Sequence, residues 1–103
     1  MDKAEIIAKV KQFSDLVNRE MRIKKIVLYG SHAKGCAGEE SDIDVAVIVD
    51  SLDGDFLDIE SRLFKLRRAV DVRIEPVLFV EDETDDFLES IIKYGNTIYS
   101  HAA

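Results

Sequence analysis

Segment 42–49 constrains the fold most, because its alternating pattern fits a strand that is buried on one face. One side would carry only apolar residues, and the other would begin with Asp42 and Asp44 before Ala46 and Ile48. The two carboxylates would project from the same side, about 6.6 Å apart along a backbone that rises about 3.3 Å per residue. Like charges this close repel, and burying them requires a cation or water. We therefore expect a strand that opens with a divalent-metal site.

Another strand and a glycine turn precede this site. The apolar and β-branched run Lys25–Tyr29 predicts a buried strand, and Gly30 ends it. Ser31 adds a hydroxyl group, and residues 32–34 suffice for one helical turn whose free N–H groups would face the aspartates. Such N–H groups attract anions and carboxylates attract metals, so a metal-bound nucleoside triphosphate would satisfy both. Taken alone, Ser31 is also explained as the cap of an ordinary strand-to-helix turn.

The turn does not match the Walker A phosphate loop. Gly30 and Gly35 have the spacing of its two glycines, but Cys36 and Ala37 stand where that loop needs Lys and then Ser or Thr. Lys34 could reach a triphosphate as a point charge or lie exposed, and we include it among the nucleotide-binding candidates. We expect Cys36 to be a small filler residue.

Apolar residues at helical spacing predict three further helices, each behind a residue that can cap the first turn. These helices cover residues 3–21 behind Asp2, residues 56–70 behind Asp55, and a segment that runs from Thr84 or Asp85 to Gly95. In the last of them we expect four apolar residues to point inward: Phe87, Leu88, Ile91 and Ile92.

Residues 72–80 predict a third strand, and Pro76 inside it lacks an N–H group. That strand must therefore lie at an edge, be bulged, or pair on one side only. Residues 97–99 predict a last short strand. The elements together predict an α/β (α+β) fold, in which a small mixed sheet packs with helices in the order α-β-α-β-α-β-α and the second helix is short.

Length and composition limit the class of protein to which this chain can belong. With 103 residues, the chain is expected to form one domain, residues 1–103, around one core. No apolar run approaches the roughly 20 residues that cross a bilayer, and the charged N-terminus is unlike a signal peptide. The single Cys36 cannot form an internal disulfide, so we expect a cytoplasmic protein. A formal charge of −7 repels phosphate backbones, which disfavours general nucleic-acid binding.

Two other groups of polar residues allow more than one interpretation. Lys65, Arg67 and Arg68 form a basic cluster, which we interpret as a solvated helix end in preference to a phosphate site. His32 could contact a phosphate or a base, but we expect it to be exposed to solvent.

The motif in residues 28–47 resembles the signature of the DNA polymerase β-like nucleotidyltransferase superfamily. That signature is Gly-Ser, a ten-residue spacer and Asp-x-Asp before apolar residues, and it is present here from Gly30 to Asp44. The resemblance implies a polymerase β palm-like fold and transfer of a nucleoside monophosphate to a hydroxyl or phosphate, with two divalent ions held by three carboxylates. It implies that Gly30 and Ser31 hold the triphosphate while Asp42 and Asp44 bind the ions. Such oxygen ligands suit Mg²⁺, for which Mn²⁺ can substitute.

The resemblance requires a third carboxylate on the later strand, and two residues qualify. Asp71 and Glu75 are four residues apart and would share one strand face. We choose Glu75, which precedes an apolar run, and interpret Asp71 as a loop or cap residue. Glu stands where the family more often has Asp, so its side chain is one methylene longer.

The acceptor of the nucleotide is not encoded in any visible motif. Larger members of the superfamily carry an additional acceptor-binding domain, for which this chain has no room. The resemblance therefore points to the minimal nucleotidyltransferases, often encoded with a HEPN-domain protein, some of which act as antitoxins by adenylylating that partner with ATP. A small-molecule acceptor such as an aminoglycoside is one alternative. A non-catalytic, nucleotide-binding structural subunit of a toxin–antitoxin complex is the other.

Overall fold

A four-stranded mixed sheet lies at the centre of the computed structural model, which describes residues 2–35, 41–81 and 85–101, apart from the Lys34 side chain. The described elements are α1 (Lys3–Glu20), β1 (Lys25–Tyr29), α2 (Ser31–Lys34), β2 (Ile43–Val49), α3 (Phe56–Leu66), β3 (Ile74–Val80), α4 (Asp86–Tyr94) and β4 (Asn96–Ser100). This order confirms the predicted fold class, and the short strand predicted at 97–99 is present as β4. Cys36 and Thr84 lie outside the described residues, so the predictions for them stay predictions.

Aspartates begin the three longer helices. Asp2, Asp55 and Asp85 each accept a hydrogen bond from a backbone N–H in the first turn of α1, α3 and α4 respectively. The predicted end of α3 at Val70 is wrong, because the α-helix ends at Leu66 and a single 3₁₀ turn follows. The helix starts were therefore more predictable than this helix end, since a cap is a local signal.

The strand order is β3-β2-β1-β4. Strand β1 runs antiparallel to both β2 and β4, whereas β2 and β3 are parallel. Among the described residues, strand β3 lies at an edge of the sheet and pairs only with β2, which is one of the arrangements that Pro76 allows.

The two faces of the sheet are covered unequally. Helices α1 and α3 cover one face and enclose the larger core, which includes Phe13, Leu28 and Leu63. On the other face, α4 covers a smaller cluster formed by Val27, Ala46, Ile48, Leu88 and Ile91. Part of this second face is therefore left for polar side chains.

The prediction that four apolar residues of α4 point inward is half wrong. Leu88 and Ile91 are buried, but Phe87 is 54% exposed and Ile92 is 38% exposed. Phe87 still contacts the sheet, because its ring packs edge-on against Phe79 with the centroids 6.1 Å apart, although more than half of the residue is exposed. No helix in the described ranges is both long enough and apolar enough to span a membrane.

Candidate active site

Strand register brings Asp44 and Glu75 side by side. The parallel pairing of β2 with β3 sets Asp44 opposite Glu75, and the antiparallel pairing of β1 with β2 sets Tyr29 opposite Asp44. Neighbouring strands lie about 4.8 Å apart, so the three residues form one row across the sheet. Asp42 lies two residues before Asp44, just ahead of β2, and is exposed. We call Asp42, Asp44 and Glu75 the acidic cluster.

Burial and neighbouring negative charge both act on Asp44. It is half-buried, and its pKa is raised above the ordinary value for aspartate. Burial is the main cause of this shift, followed by the negative charges of Asp42 and Glu75, while His32 acts in the opposite direction. A cation beside Asp44 would offset both the cost of burying its negative charge and its repulsion by Asp42 and Glu75.

Gly30 lies directly against Asp44. Its φ of +74° is in the region that residues with a Cβ atom rarely adopt, and a Cβ placed there would lie 3.2 Å from the Asp44 Cγ atom. The turn after β1 can therefore pass this close to the carboxylate only with glycine. Ser31 is the first residue of α2 and Gly30 is its N-cap, so the alternative interpretation of Ser31 as the cap is wrong.

Tyr29 belongs to the same row as Asp44 and Glu75, and the sequence did not identify it as a candidate site residue. Its ring packs edge-on against Phe87 with the centroids 6.0 Å apart. Burial raises the pKa of Tyr29, and the charges of Asp44 and Glu75 raise it further. The hydroxyl thus stays protonated near two carboxylates. Only the strand register reveals this position, and register depends on pairing between distant segments.

His32 is buried, so the prediction that it is exposed is wrong. Only 9% of the residue is accessible, and its Nε2 atom lies 3.3 Å from the backbone oxygen of Ser41, within hydrogen-bonding distance. Ser41 immediately precedes Asp42. The imidazole therefore connects α2 to the segment that leads into β2, and it helps to fix the turn relative to the aspartates.

Arg67 also departs from its predicted position at a solvated helix end. Its Nη1 atom donates to the Ile74 oxygen at 2.9 Å and lies 3.4 Å from Glu75 Oε1. The guanidinium also stacks over the Phe64 ring, 4.7 Å from its centroid. Lys65 and Arg68 are exposed, as predicted. Arg67 therefore supplies a positive charge next to Glu75.

Asp71 has a different environment from Glu75. Its side chain is 9% exposed and forms ion pairs with Arg73 at 2.7 Å and with Lys9 of α1 at 2.8 Å. Hydrogen bonds from Arg73 hold the pKa of Asp71 far below its usual range, and Lys9 contributes in the same direction. Asp71 thus ties the loop before β3 to α1, which agrees with its interpretation as a loop residue.

The acidic cluster has the donor chemistry of a magnesium site, because it offers only hard carboxylate oxygens. Within the described parts of the chain, no three His, Cys, Asp or Glu side chains are already close enough to hold a metal ion. Glu75 is paired with Arg67, and Asp42 extends towards solvent. Since the strands already align Asp44 with Glu75, side-chain rotations could bring the carboxylates together without moving the sheet. The Lys34 side chain lies outside the described residues.

Comparisons with known sequences find a family model and two relatives. A family model described as "Polymerase beta, Nucleotidyltransferase" matches residues 11–103. Two proteins of Methanocaldococcus jannaschii are similar over most of their length. "Putative protein adenylyltransferase MJ0141" is 27% identical over 88% of this chain and 96% of its own. "Putative protein adenylyltransferase MJ0604" is 32% identical over 87% of this chain and 94% of its own.

Solved structures share the fold. A crystal structure described as a "putative nucleotidyltransferase from Sulfolobus solfataricus" has a TM-score of 0.72 at 14% identity, covering 96% of this chain and 84% of that one. A toxin–antitoxin structure with AMP-PNP has a TM-score of 0.60 at 17% identity, covering 88% and 73%. A mutant of the toxin–antitoxin MntA-HpeT has a TM-score of 0.59 at 18% identity, covering 98% and 75%.

Proposed function

This chain belongs to the polymerase beta family of nucleotidyltransferases, and we propose that it transfers AMP from ATP to a hydroxyl group of a partner protein. The observation that carries the proposal is the placement of Asp44 beside Glu75, with Asp42 two residues away and Gly30 in contact with Asp44. Carboxylates next to a glycine turn can serve a metal-bound triphosphate, since the turn gives the phosphates access and the carboxylates hold the cations.

The names of the relatives support the proposal that the acceptor is a protein. Both Methanocaldococcus proteins are named as protein adenylyltransferases, and two of the similar folds belong to toxin–antitoxin pairs, one of them with AMP-PNP. We infer that the partner of this chain is a HEPN-domain toxin and that the chain is its antitoxin. The exposed side of the acidic cluster suits an acceptor from another molecule, because Asp42 is open to solvent.

Two magnesium ions would be held by Asp42, Asp44 and Glu75. When bound, such ions activate the attacking oxygen and stabilise the leaving pyrophosphate. Asp44 contributes a carboxylate whose burial and negative neighbours make it favour a nearby cation. Arg67 holds Glu75 at the side of the cluster in the absence of an ion and limits the repulsion between Glu75 and Asp44.

The turn after β1 would bind the nucleotide. Gly30 has no side chain to block the approach of phosphate oxygens to the backbone, and Ser31 offers a hydroxyl donor at the start of α2. His32 keeps this turn beside the aspartates through its contact with Ser41. We assign Lys34 to the triphosphate as a compensating positive charge.

The test compares two conservative substitutions at the two candidate carboxylates. The purified chain is incubated with α-labelled ATP and Mg²⁺ in a lysate of its native cell, and labelled proteins are identified by mass spectrometry. We expect Glu75→Gln to lower labelling about 10²- to 10³-fold, as loss of one positioned electrostatic group often does. Asp71→Asn is the matched control and should retain most of the labelling below its melting temperature. Loss of labelling in Asp71→Asn alone would contradict the choice of Glu75.

A further inference from the structure

A cavity of about 220 Å³ lies between α2 and α4, next to the acidic cluster. Tyr29 and Gly30 line it on the side of β1, and Ala33 lines it from α2. Phe87, Ser90 and Tyr94 line it from α4. Gly30 thus belongs both to the wall of this cavity and to the turn that contacts Asp44.

The lining indicates a flat and uncharged occupant. None of the described residues that line the cavity carries a formal charge, so nothing in it would neutralise a phosphate group. Three of the lining side chains are aromatic rings, and aromatic rings stack on bases with little dependence on sequence. The Ser90 hydroxyl can donate or accept a hydrogen bond at the edge of such a ring.

The size of the cavity limits what it can hold. Sites for whole drug-sized ligands are about 300–1,000 Å³, and this cavity is smaller. It therefore has room for one ring system and not for a complete nucleotide.

We propose that this cavity receives the base of the nucleotide whose phosphates lie at Gly30 and Ser31. The inference rests on the nucleotide placement in the proposed function and adds a base site to it. A base is covalently tied to its phosphates, so it must bind within reach of Gly30, which the cavity satisfies by sharing that residue. The side chain of an acceptor protein is not covalently linked to the phosphates, so it does not have to bind near Gly30. Glu75, moreover, lies two strands away from Gly30 and the cavity.

Tyr94 offers the cleanest test because it is 70% exposed, so that its truncation removes a stacking surface without opening the core. Isothermal titration calorimetry would measure binding of ATP and of inorganic tripolyphosphate, both with Mg²⁺. We expect Tyr94→Ala to weaken ATP binding about fivefold or more, the low end of what removal of a stacking ring does. Tripolyphosphate has no base, and its binding should not change.

Two control variants separate stacking from general effects on α4. Tyr94→Phe keeps the ring and should bind ATP like the wild type. Ile92→Ala shortens an apolar side chain on the same helix that does not line the cavity, and it should also leave ATP binding unchanged. Equal weakening of ATP and tripolyphosphate in Tyr94→Ala, or no weakening of either, would overturn the proposal. Unchanged ATP binding with slower AMP transfer would also overturn it and would assign the cavity to the acceptor.

Failure of the proposed function gives a different result from failure of this inference. If no protein becomes labelled with AMP but Tyr94→Ala still weakens ATP selectively, the base site stands and the acceptor proposal falls. If labelling is normal and Tyr94→Ala binds ATP like the wild type, the acceptor proposal stands and the base site falls.

Discussion

Asp44 is the residue at which stability and proposed function conflict. It is half-buried, near two other carboxylates and in contact with the turn at Gly30. Its raised pKa means that the folded protein holds a proton at Asp44 more tightly than the unfolded chain does. Ionised Asp44 therefore destabilises the fold above that raised pKa, and the destabilisation disappears as the pH falls through the ordinary aspartate pKa near 4.

We predict that Asp44→Asn melts at a higher temperature than the wild type at pH 7 without metal. The difference should narrow as the pH is lowered and vanish below about pH 4, because both proteins are then neutral at this position. Differential scanning calorimetry across this pH range checks the prediction. A lower melting temperature for Asp44→Asn at pH 7 would show that the carboxylate is stabilising and would contradict the assigned repulsion.

The effect of added metal on the melting temperatures of the wild type and Asp44→Asn provides a second test. An ion bound by the folded state at a hundredfold excess over its dissociation constant stabilises that state by about 2.7 kcal/mol. For a domain of this size that is a rise on the order of 10 °C in melting temperature. Wild type with Mg²⁺ or Mn²⁺ should show such a rise, and Asp44→Asn should lose most of it.

Gly35 serves as a control for Gly30. Both have nearly the same positive φ, +74° and +75°, but a Cβ at Gly35 would meet none of the described residues within 4 Å, whereas one at Gly30 would meet Asp44. Ala at Gly35, whose ψ of 17° is left-handed helical, should cost about 1–2 kcal/mol. Ala at Gly30 should cost more, because its ψ of −150° lies in a region that is almost restricted to glycine. We predict that only Gly30→Ala also lowers AMP transfer, by tenfold or more, since it displaces Asp44. Parallel activity assays and melts test this, and equal activities of the two variants would rule out a special role for the Gly30 contact.

At the scale of the elements, local signals were predictable and pairing was not. The aspartate caps follow from short stretches of sequence, and Pro76 alone restricts its strand to an edge, a bulge or one-sided pairing. The row that joins Tyr29, Asp44 and Glu75 depends on the register of three strands, which no local pattern encodes. The positions of His32 and Arg67 were predicted wrongly because their partners lie in or just before the next strand, 7 to 9 residues along the chain, which a helical or strand repeat does not reveal.

The loop before β3 is held by a partner that is 62 residues away in sequence, and it gives a further prediction. Asp71 is bound by Arg73 in its own loop and by Lys9 in α1. We predict that Asp71→Asn is less stable than the wild type by about 1–3 kcal/mol at pH 7, because charge-assisted hydrogen bonds to a nearly buried group are lost.

The pH dependence of this effect has the opposite sign to that of Asp44. The pKa of Asp71 is lowered by folding, so its stabilising contribution is complete above the ordinary aspartate pKa and is lost as the pH falls through the lowered one. Urea unfolding at pH 7 and at pH 3 should show a smaller difference between wild type and Asp71→Asn at the lower pH. A difference that does not depend on pH would indicate that the Asp71 charge is not the cause.

At the scale of the whole molecule, unequal covering of the sheet creates the site. Helices α1 and α3 close one face over the larger core, while α4 covers only a strip of the other and leaves the acidic cluster beside it. An acceptor from another molecule can approach Asp42 from solvent. The organisation of residues 1–103 as one domain and the cytoplasmic location stay predictions.

The most direct test of AMP transfer is the intact mass of a purified HEPN-domain partner after incubation with this chain, ATP and Mg²⁺. We predict that the wild type makes the partner heavier by one or more AMP units, on a Tyr, Ser or Thr hydroxyl. The Asp42→Asn, Asp44→Asn double variant should bind the partner and leave its mass unchanged, because the carboxylates serve the reaction and not the contact. A partner that gains AMP equally with the double variant would contradict the account, and the chain would then be a structural subunit of the complex.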